Sequence, residues 1–183
     1  MGDVEIAKEL MNAAGEAGAH GVKIQVWFPE ELKEDMTDKY LGGDGYRELF
    51  RYSQGTGVQS WWQYYGPRSQ AFVDRHADPY DVLISHDKPG FVGWQDYPTK
   101  ITDHPLRDVN SDRHSYADHT HAGSPMRFVI PAMAVAKGAR LIEKHICLNR
   151  TELRKCSKDW VSALEPDEFR DFVEFIRLAE QAL

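Results

Sequence analysis

Hydrophobic positions along the chain switch repeatedly between a spacing near 3.6 residues and a strict alternation, which predicts helices and strands in turn. Ile6, Leu10, Met11 and Ala14 recur at helical spacing within Val4 to Ala17, and the stretch Gly18 to Gly21 closes that helix. Val22 to Trp27 then alternates: Val22, Ile24 and Val26 share one face of a strand, and Lys23 and Gln25 share the other. Phe28 to Gly45 is polar and glycine-bearing, a long loop with a short helix, and Tyr46 to Gln54 is predicted helical with Leu49, Phe50 and Tyr52 available for packing. The aromatic run Val58 to Tyr65 reads as a strand ended by Gly66-Pro67. Ser69 to Ala77 follows as a short helix and Tyr80 to Ser85 as a further strand. From His86 to Arg113, Pro89, Gly90, Gly93, Pro98 and Pro105 interrupt every period, so this stretch is a long irregular connection. Beyond it come a strand at Ser115 to Thr120, a helix at Pro125 to Lys137, a strand at Arg140 to Leu148 and a helix at Glu165 to Ala182. Asp167 and Glu168 lie in the first turn of that last helix, where its dipole favours them.

Strands alternating with helices imply an α/β fold with a parallel sheet and right-handed crossovers. At 183 residues the chain is expected to form one domain, 1–183. In such folds ligands gather at the carboxyl ends of the strands. Two predicted strands end in chemically capable residues, Asp118-His119-Thr120 and Glu143-Lys144-His145. Lys23 and Gln25 admit two readings. On an exposed strand they are a solvent face, and Lys23 alone is as well explained as a snorkelling surface lysine. On a parallel strand covered by helices they face an interior and must line a site.

Charge and cysteine content narrow the function classes. A net charge of -7 with scattered Lys and Arg gives no basic stripe, so no nucleic-acid partner is expected, while anionic small molecules remain open. The two cysteines, Cys147 and Cys156, supply neither a disulfide framework nor a short-spaced metal pair, which fits a reducing compartment. No apolar run has the length of a membrane span, and Met1-Gly2-Asp3 leads directly into an acidic helix. The expectation is a soluble, cytoplasmic protein without a membrane partner.

Three separated blocks carry a resemblance. They are GDVEIAKELMNAAGEAGAHGVKIQ at 2–25, YADHTHAG at 116–123, and the pair AMAVAKGARLIEKHICLNR at 132–150 and SALEPDEF at 162–169, with a weaker fourth match, YRELFRYSQGTGVQ, at 46–59. Together they resemble the sialic acid synthase (N-acetylneuraminate synthase) family, phosphoenolpyruvate-condensing enzymes that make nonulosonic acids. The resemblance implies a TIM-barrel-like parallel βα fold. It also implies addition of C3 of phosphoenolpyruvate to the aldehyde of an N-acetylated hexosamine, water attack at C2 and release of phosphate. A divalent cation, manganese, is the implied cofactor and polarises the aldehyde. By the same resemblance Lys23 meets the phosphoenolpyruvate anion, Gln25 faces the sugar, Ser85 contacts phosphate, and Tyr97 lies near the substrate. His119 binds the metal, with Asp118 orienting it. Glu143 and Lys144 are expected to form a structural ion pair, and Met126, Met133 and the aromatics from Trp61 onward to be core.

The chain also departs from that pattern. The family's first strand, with a Glu and an Asn-His pair, has no counterpart before Gly2. The resemblance places the second metal-binding histidine five residues before Tyr97-Pro98, where this chain has Val92, and a phosphate-binding lysine at Val82. About two central βα units are missing at His86 to Arg113, so the barrel is expected to be incomplete or modified. The expectation for 1–183 is a synthase-like domain without the family's antifreeze-like carboxyl-terminal domain. His121 or Asp96 is the candidate replacement ligand. Two readings follow: a divergent synthase, or a catalytically inactive remnant or partner subunit of the same family. A third, a general sugar-phosphate binder, rests on the fold alone. Edges left by missing strands predict a homo-oligomer or an obligate partner.

Overall fold

The computed structural model describes residues 2–31, 40–77, 82–85, 115–139, 141–155 and 157–183, with only the backbone described at 82–85 and 115. The chain divides into two compact units, 1–91 and 92–183. In the first unit helix α1 (Val4–Glu16) leads into β1 (Gly21–Val26), a short 3₁₀ turn (Pro29–Glu31), α2 (Gly42–Ser53), β2 (Gln59–Tyr64), α3 (Pro67–His76) and β3 (Val82–Ser85). The three strands form a parallel sheet in the order β1-β2-β3. Among the described residues, the alternation of helix and parallel strand read from the sequence is the observed one.

Parallel register decides which side chains share a face. Val22, Ile24 and Val26 lie opposite Ser60, Trp62 and Tyr64, and this face packs on the helices through Met11, Tyr46, Leu49, Phe50 and Val73. Trp62 and Phe50 stack with centroids 3.6 Å apart. The other face carries Lys23 in register with Trp61 and Val82, and Gln25 in register with Gln63 and Ile84. The aromatic run is therefore split. Trp62 and Tyr64 are core, whereas Trp61 shares the polar face and lies so close to Gly21 that a Cβ there would meet its indole at 2.9 Å.

Two helix starts in this unit are fixed by carboxylates. Asp3 Oδ1 accepts from the backbone N–H groups of Glu5 and Ile6 and caps α1. The start of α3 is capped from a distance: Glu31 Oε1 accepts from the N–H groups of Arg68 (2.8 Å) and Ser69 (2.9 Å), and its Oε2 accepts from Phe28 N–H. Pro67 opens that helix rather than merely ending β2, as suits a first helical position that has no partner for its missing N–H. Helix α2 starts at Gly42, four residues before the predicted Tyr46.

In the second unit β4 (Ser115–Asp118) pairs in parallel with β5 (Leu141–Lys144), and α4 (Met126–Ala136) connects them. Tyr116, Ala134 and Ala139 form a small core with Ile130 and Ile142. Strand β5 is shorter than the predicted Arg140 to Leu148. After Lys144 the chain leaves the sheet, and Ile146 forms a lone parallel bridge with Leu164. Two further elements, absent from the prediction, occupy the return: α5 (Arg150–Leu153), capped by Asn149, and a 3₁₀ turn at Lys158–Val161. The last helix, α6 (Pro166–Gln181), packs against α4, with the Phe128 and Phe175 rings 5.2 Å apart. No helix among the described residues is long and apolar enough to cross a membrane.

Candidate functional site

The two polar strand ends of the second unit converge because their strands are neighbours in parallel register, with Asp118 opposite Lys144. His119 and His145 are the next residues along each strand. Their Nε2 atoms lie 3.1 Å apart and their rings are tilted at 57° with centroids at 5.0 Å. His119 is buried. The backbone of His145 is fixed from the other side as well, since its carbonyl accepts from Leu164 N–H and the Cys147 N–H donates to Leu164 carbonyl. The Ser162-to-Phe169 block thus anchors the imidazole of a strand that has already ended.

A second set of contacts ties the same strand ends together. Lys144 Nζ meets Asp118 Oδ2 at 2.6 Å and also donates to the Thr120 carbonyl at 2.9 Å. Thr120 Oγ1 donates to Asp118 Oδ1 at 2.6 Å, with its backbone N–H at 3.3 Å from the same oxygen. Both charged side chains are almost fully buried, at 1% and 0% exposure. Burial pulls the Lys144 ammonium below its usual range, and the Asp118 carboxylate only partly restores it. The expected Glu143–Lys144 pair is therefore not the one formed: adjacent strand residues point to opposite faces, and Lys144 crosses to Asp118 instead.

Two imidazole nitrogens at this separation suit either a shared proton or adjacent positions on one metal ion. With metal–nitrogen bonds of about 2.1 Å, two ligands at a right angle are held roughly 3 Å apart. The donor pair fits a divalent cation that takes its remaining ligands from water or substrate. Among the described residues no group of three His, Cys, Asp or Glu side chains could hold a metal. His121 is otherwise engaged, its Nδ1 accepting from Gly123 N–H at 2.9 Å in an exposed turn. Asp96 and Val92 lie outside the described residues.

In the first unit Gln25 Nε2 donates to Gln63 Oε1 at 3.2 Å, joining β1 and β2 on the face that carries Lys23. Gln63 is buried. Ser85 ends β3 in register with Tyr64, and Tyr97 lies outside the described residues. His145, grouped in the sequence with Glu143 and Lys144 as a chemically capable strand end, is given no site role there. The signal available was its place near the carboxyl end of a parallel strand, the same place that His119 holds on its own strand.

Comparison with known proteins adds ancestry to this geometry. Residues 93–183 match the model of the NeuB family. The whole chain aligns with a pseudaminic acid synthase of Campylobacter jejuni subsp. jejuni at 26% identity, covering 71% of that protein. It aligns with the N-acetylneuraminate-9-phosphate synthase of Homo sapiens at 24% identity, covering 68% of it. Among solved structures, an N-acetylneuraminic acid (sialic acid) synthetase from Leptospira borgpetersenii serovar Hardjo-bovis superposes with a TM-score of 0.76 at 18% identity, over 99% of this chain and 80% of that one. A truncated 3-deoxy-D-arabino-heptulosonate 7-phosphate synthase from Thermotoga maritima gives 0.66 at 14% identity, over 98% and 83%. The α/β fold is of the TIM-barrel-like kind these structures share.

Proposed function

Because residues 93–183 belong to the NeuB family, we propose that the protein is a sugar-acid synthase that condenses phosphoenolpyruvate with an N-acetylated hexosamine and releases phosphate. The observation that carries this reading is the His119–His145 pair at the ends of neighbouring parallel strands, 3.1 Å between Nε2 atoms. These two imidazoles would hold a divalent cation, which when bound supplies Lewis acidity toward the sugar aldehyde. The Asp118–Lys144–Thr120 contacts hold the two strand ends in register, so they position the imidazoles without themselves touching substrate. In the first unit, Lys23 is assigned to the phosphoenolpyruvate anion and Gln25, fixed by Gln63, to the sugar. Ser85 and Tyr97 are assigned to phosphate and substrate on the resemblance.

In the reaction the C3 carbon of phosphoenolpyruvate forms a bond to the aldehyde carbon. Water adds at C2, and cleavage of the C2–oxygen bond releases inorganic phosphate. The chain's own part is to bind the two substrates, orient them, and meet negative charge with Lys23. A rival reading, a catalytically inactive partner subunit of the same family, draws on the small donor set, two imidazoles with no third protein ligand among the described residues.

Phosphate release decides between them. The protein is incubated with phosphoenolpyruvate, manganese and a panel of N-acetylated hexosamines, alongside Lys23→Ala and His145→Ala variants. The synthase reading expects release that depends on one acceptor and falls by about 100-fold or more in each variant. No release with any acceptor selects the inactive subunit.

A further inference from the structure

The first unit carries a second cleft, separate from the polar face of its sheet. It lies where α2 and α3 come together beside the turn after β1, has a volume of about 460 Å³, and opens to solvent. Three guanidinium groups line it: Arg47 from α2, and Arg68 and Arg75 from α3. Its apolar wall is Tyr40 and Phe72, whose rings meet that of the buried Phe28 at 5.6 and 5.7 Å, and Asp44 also lines it. This is a concave, partly aromatic surface with converging cations, in a chain whose net charge is -7.

The charges nearby do not cancel the cleft. Arg47 pairs with Asp44 and Arg68 with Glu30, but Asp44 is 96% exposed and Glu30 49%, so both carboxylates stand in water and hold their partners weakly. Arg75 forms no ion pair with a described residue. His76, at the end of the same helix, is held below the usual imidazole range by burial and then by Arg47, Arg75 and Arg51, so it adds no competing interaction with a carboxylate there. One guanidinium already shows how a flat group sits here, since Arg68 lies over the Phe28 ring at 4.3 Å. A cavity of this size falls in the range of small-molecule sites. Guanidinium forks favour phosphate or carboxylate bound bidentately, and an aromatic wall favours a planar ring.

We propose that the α2–α3 cleft binds a small anionic ligand with a planar ring, of the nucleoside phosphate class, with Arg47 and Arg75 on the phosphate and Phe72 and the outer face of the Arg68 guanidinium on the ring. The site is outside the polar sheet face and does not depend on the synthase reading. Titration calorimetry on the full chain with AMP, adenosine and inorganic phosphate tests it. AMP is expected to bind at about 1 mM or tighter, and adenosine and phosphate each at least about tenfold more weakly. Arg47→Ala and Arg75→Ala are each expected to weaken AMP about tenfold or more, with thermal melts to confirm folding, while Arg170→Ala on α6 leaves it unchanged. Absence of AMP binding overturns the site, as does AMP binding that both Arg variants retain. Phosphate binding as tightly as AMP overturns the planar-ring part. Phosphate release from phosphoenolpyruvate, measured without AMP, reports separately on the synthase reading.

Discussion

At the scale of single residues, the buried Lys144–Asp118 pair sets the clearest expectation. Removing one partner leaves the other charge buried and uncompensated, which costs about 3–5 kcal/mol, whereas removing both costs much less. Lys144→Met is therefore expected to lower the free energy of unfolding by that amount, and Asp118→Asn combined with Lys144→Met to recover most of it, in chemical denaturation. A double variant no more stable than the single one would contradict the pairing. Local sequence reading reached Asp118 and His119, but it paired Lys144 with Glu143 and gave His145 no site role. Which residues meet across β4 and β5 is set by the parallel register, Asp118 opposite Lys144, and nothing in either strand's own pattern encodes that register. Lys23 and Gln25 were legible because two-residue alternation alone assigns them to the face opposite Val22, Ile24 and Val26.

Secondary-structure elements show the same division between local and distant causes. The hydrophobic periods placed every major helix and strand among the described residues, because each presents an apolar face to a core. They did not place the start of α3, because its cap comes from Glu31, far back in the sequence. Nor did they set the length of β5, because Leu164, distant in sequence, takes over the pairing of the segment after Lys144. The Glu31 cap is testable from both sides. Glu31→Ala leaves three backbone N–H groups without their acceptor and is expected to cost about 1–2 kcal/mol. Gly66→Ala is expected to destabilise as well, since a Cβ there would stand 2.6 Å from Glu31 Oε1 and push the carboxylate off the helix start. Thermal melts of the two single variants and of their combination check this. The double variant should lose less than the sum, because Glu31→Ala removes the atom that the new methyl strikes.

For the whole molecule, buried acidic groups in both units point to one pH response. Burial raises the Tyr46 hydroxyl to about 12, raises the Tyr116 hydroxyl further, and raises the Cys147 thiol to about 11. Each group ionises in the unfolded chain at a lower pH than in the fold. Between the two values the unfolded state has therefore released a proton that the native state still holds, and stability falls as pH rises. Lys144 acts in the opposite sense. Its ammonium is lowered in the fold, so the unfolded chain holds the extra proton and stability gains as pH rises toward the ordinary lysine value. That gain is complete near pH 10, where the loss from the tyrosines begins. The melting temperature is accordingly expected to hold or rise up to about pH 9 and to drop steeply above about pH 10. Tyr46→Phe isolates one contribution. The hydroxyl's contacts with Trp27 are long, at 3.4 Å, so the variant should stay folded at neutral pH. It should also lose about 2 kcal/mol less than the parent between pH 10 and 12. Parallel alkaline curves for parent and variant would show that Tyr46 keeps no proton in the fold that the open chain gives up.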